Sequence, residues 1–250
     1  MAKAIYVSNT KVKKIYVQNT KVKKVYVGNT LAWTSAIAQD QGVNMNSVKF
    51  TTGNGANNGI SGGTTNNWTL QFTFVWKTAK GGALMYHNYN KRESVIKILD
   101  DGRIMVNANR YDTSNYKTWY STQTCEVGKL NMVSVNRNGV ICINGVNATP
   151  STYGGDMPLW GEVIIFPDRD INGTCLGLNG WNQTLSNTDM VNITKRDYAF
   201  ESDNGTTLAM SFDGNLTYRR NTLSSAQKDV AGTATYETWE WNEDRECTRI

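Results

Sequence analysis

"GKLNMVSVNRNGVICINGVNA", residues 128–148, is the stretch on which the fold turns. Two apolar, β-branched runs flank a polar turn. A two-residue loop at Asn138-Gly139 would put Val133 and Val135 on the opposite face from Ile141 and Ile143. A three-residue loop, Arg137-Asn138-Gly139, pairs Val135 with Ile141 and Val133 with Ile143. It also places Gly139 at the left-handed third position that such loops favour. Register follows the buried face, so the three-residue loop is predicted.

The same pattern runs outward from this hairpin. "WTLQFTFVWKT" (68–78) is strongly β-prone, with Leu70, Phe72 and Phe74 on one face. "GGALMYHN" (81–88), "SVIKILDDGRIMVNANRY" (94–111) and "KTWYSTQT" (117–124) follow, and Asp101-Gly102 reads as a hairpin turn between "VIKIL" and "RIMVN". Only 3 Pro stand against 22 Gly, 29 Asn and 29 Thr, the composition of many short strands joined by Gly/Asn turns. Residues 39–67 read as Gly/Asn/Thr-rich loops around one strand, "SVKF". Further on, "TTLAMSFDGN" (206–215) reads as a strand and turn, "SSAQKDVA" (224–231) as a short helix, and "ATYETWEWNEDRE" (234–246) as a strand with an acidic end.

Taken in order, "FTFVWKT", "GGALMY", "KILDDGRIMV", "GKLNMVSVNRNGVICINGV" and "WNQTLSNTDM" resemble the laminin-G-like, concanavalin-A-like jelly rolls. In that family a "DGR" hairpin precedes a "W-H-H-V-A-V" strand and a "VNG" turn, and a late signature runs "Y-N-R-A-L-S-x-x-E-I". Here Leu130-Asn131-Met132-Val133 stands at the family's "WHHV", without its Trp and His. Residues Trp181-Asn182-Gln183-Thr184-Leu185-Ser186 stand at "YNRALS", with Asp189-Met190 closing the short helix. The resemblance covers about residues 46–200. It implies an all-β chain in which two antiparallel sheets pack face to face as a sandwich.

A different pattern opens the chain. "KVKKIYVQNT" (11–20) and "KVKKVYVGNT" (21–30) are one ten-residue phrase written twice, and "KAIYVSNT" (3–10) is a worn third copy. Residues 1–30 hold seven Lys and no acid; against a chain total of +5, residues 31–250 therefore sum to 5 − 7 = −2. Each phrase ends in β-prone residues and a turn. A strand of about seven residues is about 23 Å long, and three such strands form a small sheet that needs neighbours to cover it. The phrases resemble the "KVYVGNT" repeats near the N-termini of bacteriophage virion proteins. That resemblance implies an attachment or oligomerisation segment over residues 1–34, followed by a jelly-roll domain over 35–250. Lys13, Tyr16, Lys23 and Tyr26 are the partner-docking candidates.

Several functions are disfavoured. No apolar window is long enough to span a membrane, and the start lacks the apolar core of a secretory signal. Cys125, Cys142, Cys175 and Cys247 are scattered without a CxxC pair, so reduced thiols are expected and no metal site is assigned. Asp156, Asp168 and Asp170 match no calcium loop, and no cofactor is implied. The lysines lack the accompanying fold or stacking platforms of a nucleic-acid surface. Concanavalin-like glycanases set acids at alternate strand positions, E-x-D-x-x-E, about 5 Å apart; "ETWEWNEDRE" does not match. His87, the one histidine, reads as an ordinary strand-end residue, and the chain is expected not to be an enzyme.

Sugars stack on flat aromatic rings and bond to Asn and Asp. Two loops carry that mixture, "NRYDTSNYKTWY" (109–120) and "STYGGDMPLW" (151–160), making Tyr111, Tyr116, Trp119, Tyr153 and Trp160 the glycan-binding candidates. The expected protein is a bacteriophage virion component, a head or tail fibre, assembled in the host cytoplasm. It would be a homo-oligomer, with a trimer favoured, docking on other virion proteins through residues 1–30 and displaying a lectin-like jelly roll to host surface carbohydrate. The alternative is a bacterial glycan-binding or glycan-cleaving module.

Overall fold

In the computed structural model the described residues are mostly short strands joined by turns. The described residues are 6–7, 10–11, 15–17, 20–22, 24–27, 30–34, 38–52, 67–89, 92–109, 116–154, 157, 163–195, 208–211, 217–221, 228–241 and 245–250. The repeat supplies β1 (Tyr6–Val7), β2 (Thr10–Lys11), β3 (Ile15–Val17), β4 (Thr20–Val22), β5 (Lys24–Val27) and β6 (Thr30–Thr34). The sandwich begins with β7 (Ala38–Asn44), β8 (Lys49–Thr52), β9 (Thr69–Trp76), β10 (Gly82–Tyr89), β11 (Arg92–Ile98), β12 (Arg103–Asn109) and β13 (Tyr116–Thr124). It continues with β14 (Leu130–Asn136), β15 (Ile141–Ile143), β16 (Val146–Asn147), β17 (Val163–Ile165), β18 (Gly173–Trp181) and the single described helix, α1 (Asn187–Ile193). The chain closes with β19 (Leu208–Ser211), β20 (Thr217–Asn221), β21 (Lys228–Ala231), β22 (Tyr236–Trp241) and β23 (Cys247–Arg249).

Strands β7 to β23 assemble into two antiparallel sheets. One is seven-stranded, in the order β13-β12-β11-β10-β17-β8-β21. The other is ten-stranded, running β16-β15-β14-β9-β18-β7-β22-β23 with β19 and β20 branching from β18. Their facing sides supply one apolar core. Trp68, Leu70, Phe72, Phe74, Val133, Val135 and Leu178 come from the larger sheet or its approach, and Ile96, Ile98, Ile104, Val106 and Trp119 from the smaller. Burial of such side chains contributes on the order of 2 kcal/mol each.

The hairpin at 128–148 has the expected register. Val135 pairs with Ile141 and Val133 with Ile143. The Gly139 amide donates to the Asn136 carbonyl at 2.8 Å, and Gly139 sits at φ +76°. The turn after β11 repeats this geometry and is one residue longer than Asp101-Gly102 alone. Leu99 pairs with Arg103 around Asp100-Asp101-Gly102, the Gly102 amide donates to Leu99, and φ at Gly102 is +85°. Between β15 and β16 a two-residue turn uses Asn144 and Gly145, both at positive φ.

The larger sheet is covered on both sides. Along β9 every residue is buried. Two of its outer positions, Thr69 and Gln71, are covered by α1 and the chain leading into it: the Thr69 hydroxyl donates to the Gln183 carbonyl at 2.8 Å, and the Gln71 amide donates to the Ile193 carbonyl. At the opposite end Val75, Leu130, Met132 and Leu176 pack with Trp239 and Trp241 of β22. Helix α1 is capped by Ser186, whose hydroxyl accepts from the Asp189 amide at 3.2 Å and donates to its carboxylate at 2.6 Å. Asp189 therefore opens the helix, in its first turn, and does not close it.

Four further expectations change. The repeat does not form one three-stranded sheet of long strands. It forms three separate two-stranded hairpins, in which Val7 pairs with Thr10, Val17 with Thr20 and Val27 with Thr30. The "YV" of each phrase pairs with the phrase's own closing Thr and the first residue after it, so each hairpin spans the end of one phrase. Residues 38–44, read as loop, form β7 between β18 and β22; Gly42 allows the close approach, since a Cβ there would meet the Cys175 carbonyl oxygen at 2.5 Å. Lys228–Ala231, read as the end of a helix, pairs with β8. Sheet pairing overrides its weak local preference, while residues 222–227 lie outside the described set. His87 is fully buried inside β10, not at a strand end. Cys125 and Cys175 are thiols in the core and Cys142 lies beneath α1.

The C-terminal strands are held by two carboxylates. Glu237, buried on β22, meets Lys77 at 3.0 Å, Arg249 at 3.0 Å and the Thr174 hydroxyl at 2.7 Å. Glu126 pairs with Lys129 at 2.6 Å and with Arg245. Burial pushes the Glu237 carboxyl up, but the Thr174 and Lys77 hydrogen bonds and the charges of Lys77 and Arg249 outweigh it and hold it below the usual glutamate value. The Lys129 hydrogen bond is the largest influence on Glu126 and lowers it; burial opposes it, and the Arg245 hydrogen bond and the two positive charges add to the lowering. Among the described residues no helix is long and apolar enough to cross a membrane.

Two predictions follow from the packing. A Cβ at Gly139 would overlap the Trp119 ring, whereas one at Gly128, with φ +75°, meets nothing within 4 Å. Gly128→Ala should cost about 1 kcal/mol for its backbone conformation alone, and Gly139→Ala about 3 kcal/mol, because overpacking is added. Equal shifts of the two denaturation midpoints would show that Trp119 yields freely. The carboxylate clamps set a pH window: with folded values below the unfolded 4.5, their stabilisation is complete above that pH and is lost as pH falls through the lowered folded values. Glu237→Gln should cost about 3 kcal/mol at pH 7 and flatten urea stability against pH below 4.5. An unchanged slope would remove Glu237 from the acid response.

Candidate functional site

Strand alternation sorts the smaller sheet into two faces. Ile96, Ile98, Ile104, Val106 and Trp119 point into the core, so Val95, Lys97, Met105, Asn107, Thr118 and Tyr120 occupy the other side. This outer face carries exposed and half-buried side chains, in contrast to the covered outer face of the larger sheet. Pairing arranges it in two rows. One runs Ile164, Tyr86, Val95, Asn107, Thr118, and the other Lys97, Met105, Tyr120.

Tyr120 is the accessible aromatic of this face, at 42% exposure. The Arg103 guanidinium carbon lies 5.2 Å from the centre of its ring, a cation–π contact. Arg103 is itself oriented by the turn before it: its Nε donates to Asp101 Oδ2 at 2.7 Å and its backbone amide to Asp101 Oδ1 at 3.0 Å. The Arg103 amide first, and then its side chain, hold the Asp101 carboxyl below the usual aspartate value. In the neighbouring row Asn107 Nδ2 donates to Thr118 Oγ1 at 2.7 Å. The face thus presents a positioned phenol ring, an amide–hydroxyl pair and two cations, Lys97 and Arg103.

The five aromatic candidates from the sequence divide. Trp119 is a core residue, 3% exposed, with its indole N–H donating to the Gly139 carbonyl at 2.9 Å. It cannot stack on a ligand, which corrects the expectation. Its neighbour Tyr120, not selected from the sequence, takes the outward position, as alternation requires once Trp119 points inward. Tyr153 is 44% exposed. Tyr116 belongs to β13, with its side chain outside the described set, and Tyr111 and Trp160 lie outside the described residues. Described parts of the two stretches chosen from the sequence, and the residues that follow or precede them, run close together. The Thr122 amide donates to the Ala148 carbonyl at 2.8 Å, and Gly154 lies against the Lys117 side chain. Tyr153 therefore stands beside the edge strand that carries Tyr120.

Of the docking candidates, Tyr16 and Tyr26 fall in β3 and β5, opposite Lys21 and Leu31 in register. Lys13 and Lys23 lie outside the described residues. On β22, Glu237 and Glu240 are three positions apart and so fall on opposite faces, and Glu243 lies outside the described set. Among the described residues no three His, Cys, Asp or Glu side chains group as a metal site.

No protein-family model matches the chain, and no curated protein matches it. Solved structures do match. A candidate carbohydrate binding protein from Bacteroides ovatus superposes with a TM-score of 0.52 at 15% identity, over 88% of this chain. The chain spans 66% of the length of that protein. A heptameric SAP-like pentraxin from Limulus polyphemus gives a TM-score of 0.49 at 11% identity, over 79% of this chain and 94% of the other. The CBM40 of Ruminococcus gnavus IT-sialidase, bound to α2,3-sialyllactose, gives 0.42 at 13% identity, over 63% and 98%. The first likeness, at this identity, speaks to the fold, and with the two facing antiparallel sheets it makes the chain a jelly-roll β-sandwich.

Proposed function

We propose that this jelly roll recognises glycan, and that the chain is an adhesive component of a bacteriophage virion, attached through its N-terminal repeat. The observation that carries glycan recognition is Tyr120: a ring 42% exposed, set in place by Arg103 and flanked by Asn107 and Thr118, on the open face of the smaller sheet. A flat ring with adjacent amide and hydroxyl groups suits the apolar face and the hydroxyls of a sugar. The description of the Bacteroides ovatus protein as one that binds carbohydrate supports the same reading.

Attachment through the repeat is supported by its pairing. The three hairpins pair within themselves and join neither sheet of the sandwich. Isolated two-stranded hairpins have marginal stability, so a partner surface or sister copies would complete them. Their likeness to virion repeats points to other virion proteins, with a trimer as the expected assembly. The reading is of binding without cleavage, and of a particle assembled in the host cytoplasm.

Titration of the purified chain against host capsular polysaccharide tests recognition. Tyr120→Ala should weaken binding about tenfold, equivalent to 1.4 kcal/mol, without moving the melting temperature. Binding untouched by that change would move the site elsewhere, and release of reducing ends would make the protein a glycanase. Deleting residues 1–34 should leave a folded, glycan-binding sandwich that no longer joins particles. Normal incorporation of the deleted chain would overturn the attachment role.

A further inference from the structure

The cations of the Tyr120 face carry the reading further, to the class of sugar. Lys97 lies in the interior of the seven-stranded sheet, on β11, in one row with Met105 and Tyr120. It is half-buried, yet among the described residues its ammonium has no ion pair or hydrogen bond with a protein group. Arg103 stands diagonally from it on β12, because Leu99 is the register partner of Arg103 and Lys97 that of Met105. Diagonal neighbours on adjacent strands lie roughly 7 Å apart, within reach of long side chains.

Among the described residues one acid answers these two cations. Asp101 bonds the Nε and the backbone amide of Arg103. The terminal amino groups of that guanidinium have no hydrogen-bond partner among the described residues, and their fork suits a carboxylate or sulfate. Around Lys97 and Tyr120 the outer positions Tyr86, Val95, Met105, Asn107, Thr118 and Tyr120 supply no carboxylate; Glu93 lies four residues from Lys97 along β11, and Asp229 four strands away on β21, opposite Thr51. Two cations against one acid leave the patch around Tyr120 at 2 − 1 = +1, while residues 31–250 sum to −2. A cationic patch around an aromatic ring, on a domain of opposite net charge, is charge complementarity awaiting an anion. Two cations are few for the multiple phosphate contacts of a nucleic acid.

We infer that the glycan taken by this face is anionic, with its carboxylate or sulfate held between Lys97 and Arg103 and its ring resting on Tyr120. The inference depends on glycan recognition by this face, and the test separates the two. The full chain is titrated by calorimetry with polygalacturonate, its full methyl ester, dextran sulfate and dextran, with poly-glutamate as a polyanion that lacks sugar. Polygalacturonate or dextran sulfate should bind at least tenfold more tightly than its neutral counterpart, and the arm that responds distinguishes carboxylate from sulfate. Lys97→Met should abolish the preference, and Lys97→Arg should keep it. Equal binding of charged and neutral polymers overturns the anionic inference and leaves glycan recognition standing. Poly-glutamate binding as tight as the acidic sugars also overturns it, since charge alone would then suffice. Binding of none of the saccharides overturns the glycan reading itself.

Discussion

One contact ties the two sheets together where it matters for the site. The Trp119 indole, from β13 of the smaller sheet, donates its N–H to the Gly139 carbonyl in the turn between β14 and β15 of the larger. A ring of that size beside a turn is possible because position 139 has no side chain, and the left-handed backbone there calls for glycine for a second reason. Once Trp119 is anchored inward, period-2 alternation sends Thr118 and Tyr120 outward, and antiparallel pairing aligns Asn107 and Met105 with them. The open face is thus a consequence of a core contact.

The larger sheet shows why the other face is not the equivalent surface. Its central strands are buried on both sides, so β9 and β14 carry no exposed residue. Covering a strand twice makes polar outer positions costly unless they are bonded. Gln71 accordingly donates to a helix carbonyl and accepts from Asn179 Nδ2 at 2.9 Å, and Asn136 donates to the Leu185 carbonyl at 3.1 Å. These bonds seat the helix on the sheet, while the Glu237 and Glu126 clamps hold the C-terminal strands beside it. The smaller sheet has no such cover at Tyr120, and its half-buried outer residues keep access to solvent.

Much of the architecture was legible in the sequence wherever apolar alternation met a turn with a required glycine. The register at Gly139 follows from which face Val133, Val135, Ile141 and Ile143 must share. Strand β7 was hidden, because "AQDQGVN" has no alternation and its membership rests on Gly42 fitting against β18. The β21 strand was hidden for a related reason: its four residues are fixed by pairing to β8, far away in sequence. At the site, loop composition drew attention to Trp119, but composition cannot assign a side of a strand. Adjacent Trp119 and Tyr120 must face opposite ways, and only the core contact decides which. Lys97 and Arg103 could not be recognised as neighbours until the hairpin register placed them diagonally.

The three N-terminal hairpins share one more property. Each closes its own register within eleven residues of sequence, with the same Val–Thr pair innermost, and no described strand of one pairs with a strand of another. A duplication or loss of ten codons in phase with the phrase therefore adds or removes one whole hairpin and leaves every sandwich register untouched. The length of this segment is free to drift by unit steps under selection, while the displayed domain evolves under separate constraints.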